Sequence, residues 1–255
     1  MRKIFFLFLL ASSFFACDDE EDVITFFELS CLGDASPPIN QLDCDDIPSS
    51  TQICEAGYVG EFSLEEESRS FIPQFCRNIG DVETYVNGAG DTKELTVSNK
   101  SFFQSRSVRN TFVPCENDSS QYQGACFNFE LGMLTLVSEP DSLELTIQLK
   151  TVLSKDDYSG EKFGDVVEIL RKKGLNTFII DFSVVVNERT LGYPTTQYQE
   201  NLGEVVLIGA SHVDVISSSA YLNFPNSGSL RYYYNKWKGL VAFEDADGVL
   251  WRLEE

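Results

Sequence analysis

The chain is poor in histidine, in basic side chains and in long apolar segments. His212 is the only histidine among 255 residues, and no C-x-x-C motif accompanies the seven cysteines. Because zinc sites are built mainly from closely spaced cysteine and histidine, no zinc site is expected. Lysine and arginine total 19 against 40 acidic residues, which gives a net charge of −21. Such a surface repels phosphate, so the composition argues against a nucleic-acid partner.

The first apolar stretch is too short to span a membrane as a helix. It covers the thirteen residues from Ile4 to Ala16, whereas a transmembrane helix needs about 20. Arg2 and Lys3 precede the stretch, and Cys17 follows it. A basic start, a short apolar run and a small residue before a cleavage point are typical of a secretory signal.

This arrangement resembles the signal of bacterial lipoproteins, in which cleavage leaves an acylated cysteine at the new N-terminus. Phe14 stands where the usual motif has leucine, and Ala16 supplies the small residue before the cut. The resemblance implies a signal peptide over 1–16 and a palmitate-type anchor on Cys17. Each buried methylene of an acyl chain contributes roughly 0.8 kcal/mol to membrane binding. The alternative is an ordinary secretory signal with an incidental cysteine.

Residues 18–22 are all acidic, and they determine the predicted location. The run resembles the export signal of surface lipoproteins in Bacteroidota, which implies a lipid-anchored outer-membrane protein facing the cell exterior. The alternative is a periplasm-facing protein in which the run is a solvated linker. Under enterobacterial sorting, Asp18 would instead indicate retention at the inner membrane. Loss of 1–16 leaves 17 basic against 40 acidic side chains, a charge of −23.

Six cysteines remain once Cys17 carries lipid, and all of them precede residue 127. An even number in an exported chain predicts three disulfides. Closing a short loop costs less entropy than closing a long one. Near neighbours are therefore expected to pair, as Cys31–Cys44, Cys54–Cys76 and Cys115–Cys126.

The remaining sequence predicts an all-β fold, either an antiparallel β-sandwich or an open barrel-like domain, with a disulfide-stapled N-terminal region. Leu143 to Lys150 alternates strictly between apolar and polar residues, as a half-buried strand does. Residues 163–170 fit a helix or a strand, and the strand is favoured because both neighbours are strands. Three divisions follow the signal peptide: an acylated cysteine with an acidic tether (17–30), a cystine-rich entry region (31–60) and a mostly-β domain (61–255).

No residue combination predicts a catalytic or metal site. Ser211, His212 and Asp214 are the residue types of a hydrolase triad, but residues 211 and 212 of a strand point to opposite faces. Asp245 and Asp247-Gly248 match part of a calcium loop. A hairpin turn between two short strands explains them better, and Ca²⁺ binding there is the less favoured alternative.

Aromatic residues near the C-terminus provide the main indication of binding. Tyr232 and Tyr234 share one face of a predicted strand, and Trp237 follows. Such rings either stack on sugars or pack in a half-buried sheet. Residues 232–243 and 247–251 resemble the C-terminal end of small lipoproteins of Bacteroidota. That resemblance implies a mostly-β lipoprotein and brings no catalytic residues with it.

Together these observations predict a lipid-anchored exported protein with a non-catalytic binding or envelope-structural role. Besides the membrane, its partners would be glycans or other envelope proteins. The alternative is an all-β hydrolase that acts on carbohydrate through two paired carboxylates, the usual chemistry of glycoside hydrolysis.

Overall fold

A computed structural model describes residues 31–37, 53–153, 163–172, 178–187, 199–218, 231–245 and 247–254. The strands, in chain order, are β1 (Ile53–Phe62), β2 (Val82–Asn87), β3 (Thr92–Pro114), β4 (Tyr122–Ser138), β5 (Leu143–Leu153), β6 (Phe163–Lys172), β7 (Phe178–Asn187), β8 (Gln199–Leu207), β9 (Ala210–Ser218), β10 (Arg231–Asn235), β11 (Gly239–Glu244) and β12 (Leu250–Leu253). A short helix, α1 (Glu66–Arg69), and a 3₁₀ turn (Pro73–Cys76) lie between β1 and β2.

These strands form one twelve-stranded sheet in the order β7-β6-β5-β4-β3-β2-β12-β11-β10-β9-β8. β1 lies off this path and pairs in parallel with β4, whereas the other pairs are antiparallel. The last strand, β12, joins β2 by aligning Trp251 with Asn87. The sheet curls into a half barrel, which confirms the predicted all-β antiparallel fold in its open barrel-like form.

The inner face of the curled sheet holds the main core. In β5, Leu145, Ile147 and Leu149 are fully buried, and they pack with apolar side chains from β2, β4, β6, β10 and β11. Each such side chain contributes about 1.5–3 kcal/mol on burial. The predicted alternation of β5 therefore identifies the buried face correctly.

β6 confirms the strand prediction for residues 163–170. It pairs with β5 on one side and β7 on the other, and residues 163–169 are buried on both faces. A strand buried on both faces has a nearly continuous apolar sequence, which explains why its pattern also fits a helix. β1 begins at Ile53, so the cystine-rich entry region also contributes a strand.

The predicted pairing of cysteines is wrong. The disulfides join Cys31 to Cys76 and Cys54 to Cys115. Cys126 is also disulfide-bonded, but not to Cys115 as predicted. Cys44 lies outside the described residues. Loop closure favours near neighbours only weakly, by about 0.6 kcal/mol per doubling of loop length, and strand pairing outweighs it. The first residue of β1 and the last residue of β3 both align with Tyr122, which brings Cys54 and Cys115 together.

A segment that we call the cap, residues 64–77, covers part of the inner face between β1 and β2. Four of its apolar side chains join the main core: Leu64, Phe71, Ile72 and Phe75. Its last turn carries Cys76, which the disulfide ties to Cys31. The sequence pattern did not predict the helix in this segment, because α1 has only four residues.

No helix among the described residues is both long and apolar enough to cross a membrane.

Candidate functional site

Two buried carboxylates hold the start of the cap. Glu130 of β4 accepts hydrogen bonds from the Leu64 N–H and from Arg69 Nη2, both at 2.8 Å. Asp165 of β6, which has no exposed surface, accepts from the Glu65 N–H at 3.1 Å and from the Thr151 hydroxyl at 2.7 Å. β4 and β6, which lie on either side of β5, thus present carboxylates to consecutive backbone N–H groups of the cap. We call this group the acidic cluster.

The contacts within the acidic cluster compensate the two carboxylates for their loss of hydration. A buried carboxylate needs an opposite charge and hydrogen bonds to offset its loss of hydration. Arg69 supplies the charge to Glu130, and its guanidinium also lies 5.5 Å from the centre of the Phe102 ring. Because both carboxylates bond to the cap, the arrangement fastens the cap to the sheet.

A second polar group, which we call the tyrosine cluster, lies at the end of the cap. The hydroxyl of buried Tyr85 is 3.1 Å from both Glu83 Oε2 and the Leu240 carbonyl oxygen. Arg77 Nε is 3.9 Å from Glu83 Oε1, and the Arg77 side chain is 54% exposed. Burial raises the pKa of Glu83, and the Tyr85 hydrogen bond and Arg77 lower it by less.

Two further contacts connect the end of the cap to β10 and to the turn that follows it. The hydroxyl of buried Tyr234 donates to the carbonyl oxygen of Phe71. Gln74 Nε2 donates to the Lys238 carbonyl oxygen at 3.2 Å. Burial raises the pKa of Tyr234, and the nearby Glu83 carboxyl raises it further. The tyrosine hydroxyl therefore stays protonated and acts as a hydrogen-bond donor.

The structure does not bring the three predicted sugar-stacking residues onto one exposed face. Tyr232 and Tyr234 are buried in the main core, where their ring centres lie 6.4 and 5.7 Å from that of Phe182. These two rings therefore pack in the core, which is the packing alternative, because the face of β10 that carries them lies against the main core. Trp237 is half-buried in the turn after β10, and Lys236 Nζ lies 4.2 Å from its ring centre.

The triad-like and calcium-like motifs occupy structural positions. His212 is buried, whereas Ser211 and Asp214 are exposed, so the three side chains do not converge. Asp245 Oδ1 accepts from the Asp247 and Val249 N–H groups at 3.1 and 3.0 Å, as expected of a hairpin turn. In the part of the chain that the structure describes, no three histidine, cysteine or acidic side chains are grouped as metal ligands.

Sequence reasoning missed the acidic cluster, although one signal for it was present. Asp165 and Glu130 lie within buried stretches of β6 and β4, and a charge inside a buried strand requires a partner. The partners that belong to the cap are 61 to 100 residues away in the chain. No local pattern specifies contacts over such a separation.

No protein-family model matches the chain, and neither a curated protein nor a solved structure shows significant similarity to it.

Proposed function

We propose that this protein is a lipid-anchored exported protein with a non-catalytic binding or envelope-structural role. The observation that carries the proposal is the pair of disulfides, Cys31–Cys76 and Cys54–Cys115. Disulfides persist in oxidising compartments and are rare in the cytosol. The sequence around Cys17, which lies outside the described residues, supplies the matching export signal and the acylated residue.

The contacts of the acidic cluster argue against its use as the carboxylate pair of the hydrolase alternative. A glycosidase needs one carboxyl group to protonate the leaving oxygen and another to act as base or nucleophile. Glu130 and Asp165 both accept hydrogen bonds from backbone N–H groups of the cap. These contacts give the two residues a structural task.

The anchor is tested by expressing the full chain and a Cys17→Ser variant in a bacterium that processes lipoproteins. We expect the wild-type protein to partition into detergent with a mass that includes acyl chains, and the variant to lose both properties. Ser13→Ala, which leaves the cysteine intact, is the matched control. An unmodified Cys17 thiol in a cytosolic, full-length chain would contradict the proposal.

Surface exposure and binding are tested separately. Protease added to whole cells should remove the domain if it faces outward, and full protection would indicate the periplasmic alternative. Purified mature protein is then screened on an array of glycans and against envelope extracts. Release of shortened sugars from any glycan would support the hydrolase alternative instead.

A further inference from the structure

Four side chains form a continuous row across three neighbouring strands. Arg106 of β3 and Glu61 of β1 both align with Asn128 of β4. Arg106 Nε donates to Asn128 Oδ1 at 2.8 Å, and Asn128 Nδ2 donates to Glu61 Oε1 at 3.2 Å. The same amide nitrogen lies 3.4 Å from the hydroxyl of Tyr58, also in β1. We call these four residues the Tyr58 row.

The Tyr58 row presents an aromatic ring to solvent. Tyr58 is 52% exposed, and it is the only aromatic residue among the described side chains that ranks as exposed. Glu61 is exposed beside it, while Asn128 is buried beneath both. The strand pairing and the Asn128 amide therefore hold the exposed groups in a fixed arrangement before any ligand arrives, which reduces the entropic cost of binding.

The chemistry of the row combines an apolar plane with both kinds of hydrogen-bonding partner. A tyrosine ring offers a flat apolar face and a polar tip. A guanidinium carries only donors, a carboxylate only acceptors, and an amide carries both. Desolvation and the Glu61 carboxylate raise the pKa of Tyr58, so its hydroxyl stays protonated and can donate.

A pyranose sugar matches this combination. One face of its ring carries C–H groups, and its rim carries hydroxyls that both donate and accept. Planar carboxylate and guanidinium groups bind two neighbouring polar atoms at once, as a pair of adjacent hydroxyls presents them. The net charge of −21 disfavours anionic ligands, so a neutral sugar is favoured over an acidic one.

We propose that the Tyr58 row binds a neutral pyranose, with the sugar ring against Tyr58 and adjacent hydroxyls bonded to Glu61 and Arg106. This inference deepens the proposed binding role by naming its surface and its ligand class. It depends on no residue of the cap and on neither of the buried tyrosines of β10.

The test uses mature protein purified in detergent and an array of neutral and acidic oligosaccharides, followed by titration calorimetry on the best neutral ligand. Tyr58→Ala should weaken binding at least about tenfold, because it removes the ring face. Tyr58→Phe, which keeps the ring, should weaken it by about threefold, and Glu61→Gln by about five- to tenfold. Val206→Ala, an exposed change on β8, is the control and should leave affinity unchanged.

Each contrary outcome identifies what has failed. If a neutral sugar binds Tyr58→Ala as tightly as the wild type, the inference is overturned while the proposed binding role stands. Loss of binding in Trp237→Ala but not in Tyr58→Ala would have the same meaning. Preference for acidic sugars, or no binding to any array member, also overturns the inference. The anchoring experiment on Cys17 is unaffected by all of these results. Because Tyr58 is exposed, unchanged thermal midpoints will show that the variants fold.

Discussion

The acidic and tyrosine clusters bind opposite ends of the same cap, and they do so through different kinds of interaction. At the start, Glu130 meets a guanidinium and a backbone N–H at 2.8 Å. At the end, Glu83 meets a tyrosine hydroxyl at 3.1 Å and a largely exposed arginine at 3.9 Å. Burial consequently raises the pKa of Glu83. Charge-assisted bonds therefore hold one end of the cap, whereas a disulfide, neutral hydrogen bonds and close packing hold the other.

Removing the disulfide at the end of the cap should have the largest effect. Cys31→Ser/Cys76→Ser opens a loop with a sequence separation of 45 residues, and we expect a loss of about 4 kcal/mol in the free energy of unfolding. Denaturant titration measures it. Mild reduction of the wild type, monitored by thiol labelling, should also lower the free energy of unfolding. A double variant as stable as the wild type would show that the cap needs no covalent tie.

Close packing at the same end is tested with Gly239. This residue has φ +79°, and an added Cβ would collide with the Gln74 side chain, so Gly239→Ala combines backbone strain with a steric clash. We expect a loss of about 3 kcal/mol in the free energy of unfolding. Gly88→Ala, where nothing lies within 4 Å of an added Cβ, should cost under about 1 kcal/mol. Equal losses for the two variants would contradict the described contact.

The sequence predicted the strands of the sheet more fully than it predicted the disulfides and side-chain contacts that hold the cap. β5 and β6 follow from local alternation and apolar content, because each strand carries its own pattern of buried positions. The disulfide pairing failed because strand alignment, and not loop length, determines which cysteines meet. The Tyr58 row depends on register between β1, β3 and β4. Register across such separations is a property of the whole fold and leaves no local signal.

The charged end of the cap is tested by removing its cation. Arg69→Met leaves the Glu130 carboxylate buried with the Leu64 N–H, and we expect a loss of about 2–3 kcal/mol at neutral pH. Arg77→Met is the matched change in the tyrosine cluster. It should cost less than about 1 kcal/mol, because the Arg77 side chain is 54% exposed and its contact is long.

A double variant measures the interaction free energy between Arg69 and Glu130 at the start of the cap. Arg69→Met/Glu130→Leu removes both charges and should recover part of the stability lost in Arg69→Met, because no unpaired carboxylate remains buried. Chemical denaturation of the four proteins completes the cycle. Additive losses would mean that Arg69 and Glu130 contribute independently, and the two ends of the cap would then not differ as described.

The smallest expected effect is the contribution of Glu83 to the pH dependence of the free energy of unfolding. Its folded-state pKa lies above the ordinary value, because burial disfavours the charged form. Stability from a raised pKa is fully present below the unfolded-state pKa and is lost as the pH rises through the folded-state value. The stability of the wild type relative to Glu83→Gln should therefore fall as the pH rises from about 4 towards neutrality.

Asp245 provides a control of opposite sign within the same molecule. Burial alone would raise its pKa, but hydrogen bonds from Trp251 and the turn, together with Lys93, lower it. Stability from a lowered pKa is present above the unfolded-state value and is lost as the pH falls, so the advantage of wild type over Asp245→Asn should shrink in acid. Denaturant titrations of the three proteins between pH 3 and 7.5 measure both slopes. Slopes of the same sign would mean that burial does not raise the pKa of Glu83 in the folded protein.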